Sequence, residues 1–96
     1  MSILGNRLRE ARERAGISQK QLGIKAGIDP DVASARINQY EKGKHLPHLA
    51  TARQLAKVLG VPTPYFYADD DDLAAWILAY QRVSTGTRKS ILKDTG

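Results

Sequence analysis

Three sets of side chains in this chain have the types and spacing to do chemistry. His45 and His48 stand three apart, and Asp69 to Asp72 form an unbroken run of four carboxylates. Both are metal-donor types, but a zinc site needs further ligands at a plausible approach. A calcium loop needs alternating oxygen donors and a glycine turn, which the Asp run lacks. That run is better suited to opening a helix, where carboxylates cap free N–H groups and complement the dipole. Ser18 and Ser34 are candidate nucleophiles with no base beside them in sequence. There is no glycine-rich phosphate loop, no nucleophile elbow and no HExxH. Cysteine is absent, which removes disulfides, thiolate zinc sites and a thiol nucleophile. The expectation is a chain without catalytic residues, metal or cofactor. The third set is the polar stretch from Asp31 to Gln39, followed by Lys42, Lys44 and His45. Amide, hydroxyl and guanidinium groups of this kind can read base edges, and nearby cations can hold phosphates.

Charge distribution favours the third set. The 96 residues carry a net charge of +5 and a pI of about 9.7, a balance that suits a polyanionic partner. Residues 1–48 hold nine Lys/Arg against five Asp/Glu, and residues 49–96 hold six against five. An electrostatic footprint on nucleic acid therefore falls mainly in the first half. Hydrophobic residues at 42% and charged residues at 26% describe an ordinary folded domain rather than a disordered chain. A chain of this size buries roughly 60–68% of its unfolded surface. No apolar run approaches the ~20 residues of a bilayer span. MSILGNRLRE lacks a signal-peptide core. A cytoplasmic location without membrane contact is the expectation.

The elements that must position these residues read as helices. A first helix is predicted from Ile3 to Ala15, where Leu4, Leu8, Ala11 and Ala15 repeat at helical spacing, and Gly16 ends it. Ser18 caps a second helix, Gln19 to Ala26, with Leu22 and Ala26 inward and Gly27 closing it. Asp29-Pro30 reads as a capping carboxylate followed by proline at the first helical position. A third helix is predicted from Pro30 to about Lys42, with Ala33, Ile37 and Tyr40 on one face and Gly43 as its stop. At 100° per residue, Asp31, Ser34, Ala35, Asn38 and Gln39 then project outward, with Val32 and Arg36 toward the flanks. This face is small and polar, as a helix entering the major groove requires. A fourth helix, Leu49 to Leu59, buries Leu49, Ala52, Leu55, Ala56 and Leu59. Tyr65-Phe66-Tyr67 forms a short turn that plugs the core with Phe66. The Asp run opens a further helix with Leu73, Trp76, Ile77 and Tyr80 on its apolar face. Ser84 or Thr85 caps a last helix containing Ile91 and Leu92.

Arg12 with Gly16-Ile17-Ser18-Gln19, Leu22, Ala26-Gly27-Ile28, Ile37, Tyr40-Glu41-Lys42-Gly43-Lys44, Pro47 and Leu55 to Val61 together resemble the lambda-repressor/Cro-like (XRE-type) helix-turn-helix regulator family. The resemblance spans roughly residues 4–67. It implies an all-α, lambda-repressor-like bundle of about five short helices, with one or two extra at the C-terminus. The domain boundary is expected at residue 68, with residues 69–96 as a helical extension. The resemblance places Ser34, Ala35, Arg36, Asn38 and Gln39 against bases and Gln19 against a phosphate. It makes Arg12 and Glu41 a partly buried ion pair. Lys42, Lys44 and His45 follow the recognition helix and could reach phosphates. One departure stands out. About twelve residues separate the two glycines in the family pattern, whereas Gly27 to Gly43 spans sixteen positions. Four extra residues make about one helical turn, expected to lengthen the recognition helix at its start.

The function expected from these features is sequence-specific binding of double-stranded DNA by a transcriptional regulator, more specifically a repressor on a palindromic operator. Leu73, Trp76, Ile77 and Tyr80 are surplus to the DNA-binding core and are expected to form a homodimer interface. With no ligand-sensing domain in the remaining chain, regulation would come through concentration, proteolysis or a partner protein. The competing expectation is an antitoxin or adaptor that mainly binds a partner protein through the same C-terminal helices.

Overall fold

The computed structural model describes residues 2–96. Among them are six α-helices: α1 (Ile3–Ala15), α2 (Gln19–Lys25), α3 (Ala33–Glu41), α4 (Leu49–Leu59), α5 (Asp71–Tyr80) and α6 (Thr85–Thr95). A 3-10 turn, Thr63–Tyr67, separates α4 from α5. The described residues contain no strand, so the all-α reading holds. Ser2, Ser18, Asp70 and Ser84 accept backbone N–H bonds at the starts of α1, α2, α5 and α6. Each such cap contributes about 1 kcal/mol. At Ser18 the bond is reciprocal, because Gln21 Oε1 accepts from the Ser18 N–H at 2.8 Å.

The core is a shared contribution. Leu4, Leu8 and Ala11 from α1 meet Leu22 of α2, Ile37 and Tyr40 of α3, and Ala52, Leu55 and Ala56 of α4. Tyr65 and Phe66 close it from the 3-10 turn. Phe66 plugs the core as expected, and Tyr65 is equally buried. The Tyr65 hydroxyl donates to Glu10 (3.2 Å) and accepts from Arg14 (3.3 Å), so its burial leaves no orphaned polar atom. Ala15 and Leu49, assigned to the core from periodicity, are exposed. Each lies at a helix end, beyond the face that its neighbours cover.

Arg7 is buried although it lies off the apolar stripe. Its Nε donates to the Ala68 carbonyl at 2.8 Å, Nη2 to Asp71 at 3.0 Å and Nη1 to Glu10 at 3.3 Å, and it lies over the Tyr65 ring. Burial disfavours its charge, but the bonds to Asp71 and Glu10 outweigh that effect and hold the group above its ordinary pKa. The side chain thus ties α1 to the start of α5.

The third helix is shorter than predicted. It starts at Ala33, and residues 30–32 form a turn instead. Val32 N–H bonds the Asp29 carbonyl (3.0 Å), and the Asp29 carboxylate accepts from the Asp31 N–H (2.8 Å). Asp followed by Pro suits the first two positions of a type I turn as well as a helix start. Here the chain takes the turn, and Ala33, the first residue of α3, sits close against Gly23. A Cβ built on Gly23 would stand 2.7 Å from Ala33 Cβ and 3.0 Å from its carbonyl oxygen.

The C-terminal helices leave the globule. α5 meets the core through Ala74, Ile77 and Leu78, and α6 has no buried residue. The chain measures 49 × 25 × 23 Å with a radius of gyration of 14.6 Å, against about 12.5 Å for a compact chain of this length.

Gly23→Ala tests the α2–α3 contact. The helix-propensity gain of about 1 kcal/mol is expected to lose to overpacking against backbone, which costs about 1–3 kcal/mol. Urea denaturation should show a lower midpoint than for the parent. Gly86→Ala, where an added Cβ meets nothing, should cost no stability.

Candidate nucleic-acid interface

The polar face is built on α2, the turn after it and α3. Gly27, at φ 91°, lets the chain leave α2 and return, with its N–H on the Ile24 carbonyl (3.0 Å). Ile28 N–H then bonds back to the Gly23 carbonyl at 2.9 Å. Ala33, Ile37 and Tyr40 are buried as predicted and seat α3 on the core. Ser34, Ala35 and Arg36 are exposed on its other side, and Asn38 and Gln39 are half-buried. The C-terminal helices do not cover Ser34, Ala35 or Arg36.

Arg12 and Glu41 form the expected ion pair. Arg12 Nε donates to Glu41 Oε2 at 2.6 Å and Nη2 to Oε1 at 3.1 Å. This two-pronged geometry is the strong form of a carboxylate–guanidinium bond. The Glu41 side chain is only 5% exposed. Arg12 Nη1 also donates to the Ile17 carbonyl (3.1 Å), which pins the loop before α2. The bonds to Glu41 hold the Arg12 pKa above its ordinary value, against the opposing effect of burial.

Gln19 joins this network. Its Nε2 donates to Asn38 Oδ1 (3.3 Å) and to Glu41 Oε1 (3.2 Å). Two residues assigned to separate roles from sequence, phosphate holding and base reading, are therefore bridged side by side. Asn38 lies toward α2, while Ser34, Ala35 and Arg36 form the more open part of the face.

Lys42, Lys44 and His45 are exposed. The backbone N–H groups of Lys44 and His45 both bond the Gln39 carbonyl, at 2.9 and 3.4 Å, so this loop folds back over the end of α3. A polar hollow there is lined by Arg36, Gln39, Tyr40, His45, Leu46 and His48. His48 thus stands at the rim of the face, a placement its spacing from His45 did not reveal. A second hollow, on the α1 side, joins Asn6 and Arg9 to Arg12, Gln19 and Lys42. Asn6, Arg9 and Arg12 recur every third residue, a helical spacing that could have placed all three on one side of α1.

On the C-terminal extension, Leu73, Trp76 and Tyr80 are exposed by 50%, 73% and 56%. Ile77, grouped with them from sequence, is half-buried and packs toward the core. Ile91 and Leu92 of α6 take its place on the outer face. Together with Trp76, Tyr80 and Val83 they line an almost wholly apolar cleft of about 220 Å³. The Arg88 guanidinium at its rim lies 3.9 Å from the Tyr80 ring centre.

The Arg12–Glu41 pair carries a prediction. Glu41→Ala leaves a partly buried guanidinium without its counter-charge and is expected to cost up to about 3 kcal/mol in urea denaturation. Arg12→Met combined with Glu41→Leu should cost less than Glu41→Ala alone, since no uncompensated charge remains.

Comparisons with known proteins agree with this geometry. The family described as a helix-turn-helix domain matches residues 3–64. An uncharacterized HTH-type transcriptional regulator of Sinorhizobium medicae (strain WSM419) is 32% identical over 66 residues, which cover 69% of this chain and 45% of that protein. The HTH-type transcriptional regulator ImmR of Bacillus subtilis (strain 168) is 32% identical over 68 residues, covering 71% and 50%. The chain therefore spans about half the length of the curated relatives it matches. The crystal structure of transcriptional regulator BswR is similar over 99% of this chain and 92% of its own, at 45% identity and a TM-score of 0.84. With the α2–turn–α3 unit in place and the match running through α1 to the 3-10 turn, this chain belongs to the helix-turn-helix domain family.

Proposed function

We propose that this protein is a DNA-binding transcriptional regulator, and that it represses by occupying its operator. The observation that carries the reading is the outer face of α3. Ser34, Ala35 and Arg36 stand open on a helix otherwise fixed to the core, with Lys42, Lys44 and His45 around its end. Small and forked polar groups match the donor and acceptor patterns of the major groove. Arg36 suits guanine and Gln39 suits adenine. Lys42, Lys44 and His45, exposed around the end of α3, are suited to hold flanking phosphates. Such contacts are electrostatic, so affinity falls steeply with salt. The protein works by binding rather than by catalysis, in the cell compartment where its operator lies.

A homodimer belongs to the same proposal. α3 has nine residues and is about 13 Å long, enough for only a few base pairs. Two copies on a palindrome double the site. The support lies in α5 and α6. An 11-residue helix with no buried residue is marginal alone in water, and its apolar side faces an apolar cleft beside exposed Trp76. A second copy covering Leu73, Trp76, Tyr80, Ile91 and Leu92 would stabilise both helices.

Unbiased selection from a random DNA pool should yield a short sequence with two-fold symmetry, and recovery of no sequence would overturn the regulator reading. Arg36→Ala and Gln39→Ala should reduce discrimination between selected and scrambled sites. Lys44→Ala should weaken both alike and flatten the salt slope by about one. Analytical ultracentrifugation should give a dimer that Trp76→Glu converts to monomer. A parent protein that stays monomeric at high concentration would instead favour a heterologous protein partner for this face.

A further inference from the structure

The turn that replaces the predicted extra helical turn leaves two side chains without a role in the fold. Val32 occupies the cap position of α3, makes no side-chain cap bond and is 43% exposed. Valine is among the poorest residues at that position, where Ser, Thr, Asn or Asp would satisfy free N–H groups. Nor does it serve the core, since Ala33 beside it makes the contact with α2. Asp31 is also exposed, and among the described residues it makes no ion pair. The turn itself is closed by Asp29, through its carbonyl to Val32 and its carboxylate to Asp31 N–H. Pro30 stiffens it further by fixing one backbone angle. The backbone that carries both side chains is thus fixed at the start of α3, the end that meets base edges in this docking geometry.

We propose that the Asp29–Val32 turn is an outer base-reading element, in which Val32 packs on a thymine methyl group and Asp31 accepts a hydrogen bond from a cytosine amino group. It rests on the DNA-binding reading above and adds a position to the site that α3 reads. The chemistry selects these bases. The thymine C5 methyl is the apolar group exposed in the major groove, and the cytosine N4 amino group is a donor there; adenine N6 is a donor too, but the N7 acceptor beside it repels a carboxylate. A carboxylate only accepts hydrogen bonds and is repelled by phosphates, so Asp31 gains from DNA through a base amino group. One apolar branched residue next to one acceptor therefore specifies a thymine and a neighbouring cytosine at the edge of each half-site.

The test uses the full chain and the duplex recovered by selection. Thymines are replaced one at a time by uracil, which removes the methyl group alone. The parent protein should lose about fourfold in affinity at one outer thymine, and Val32→Ala should be indifferent to that replacement. Val32→Asn should be equally indifferent while improving the helix cap, so the effect cannot come from unfolding. Asp31→Asn should reduce the preference for cytosine at the adjoining position by about fivefold or more. If no outer thymine is sensitive in the parent, or if the variants keep its sensitivity and its cytosine preference, the outer-reader assignment is wrong while DNA binding by α3 stands. If the pool yields no bound sequence, both fall together.

Discussion

The bond between Arg12 and Glu41 is the constraint on which the pose of α3 depends. Glu41 is the last residue of α3, and Arg12 lies near the end of α1. Two bonds between guanidinium and carboxylate set both distance and rotation, which a single apolar contact would not. The third arm of Arg12 holds the Ile17 carbonyl, and Gln19 then reaches both Glu41 and Asn38. One partly buried network therefore aligns three helices. Its members are polar because direction matters at this point, and the desolvation of each charge is offset only while all the bonds are made.

At the opposite end of α3 the constraint is steric. Gly23 and Ala33 allow the backbones of α2 and α3 to approach closely, and the preceding turn closes on itself through Asp29. A helix gripped at both ends presents its exposed residues in a fixed pose. For the proposed DNA-binding role, little ordering would then be left to be done on binding.

The C-terminal extension follows a different logic. Arg7 fixes the start of α5 through a backbone carbonyl, a carboxylate and an aromatic ring. Gln81 anchors its far end on the Gly60 carbonyl at 2.9 Å. Beyond that point α6 is tied only locally, by its Ser84 cap and by Arg88 on Tyr80. The globule is complete without α6, so the apolar side chains of α5 and α6 are available to another surface.

The helices, the caps of α2, α5 and α6, and the buried face of α3 were legible in the sequence. Apolar spacing and Ser or Asp before a helix act over a few residues and need no distant partner, so α1 and α4 were predicted with the bounds the structure shows. The tertiary structure decided what depends on neighbours far along the chain. Asp29-Pro30 satisfies both a helix start and a turn, and the folded chain takes the turn with Ala33 seated on Gly23. Arg7 reads as a solvated cation until Ala68 and Asp71 arrive, 61 and 64 residues later, to bond it. Ile77 shares a helical stripe with Trp76 and Tyr80, yet which edge of a broad apolar face turns inward is set by the shape of the core it meets. Local sequence carries period and capping. The choice between equally good local states belongs to packing, because only contact with a distant surface makes their energies differ.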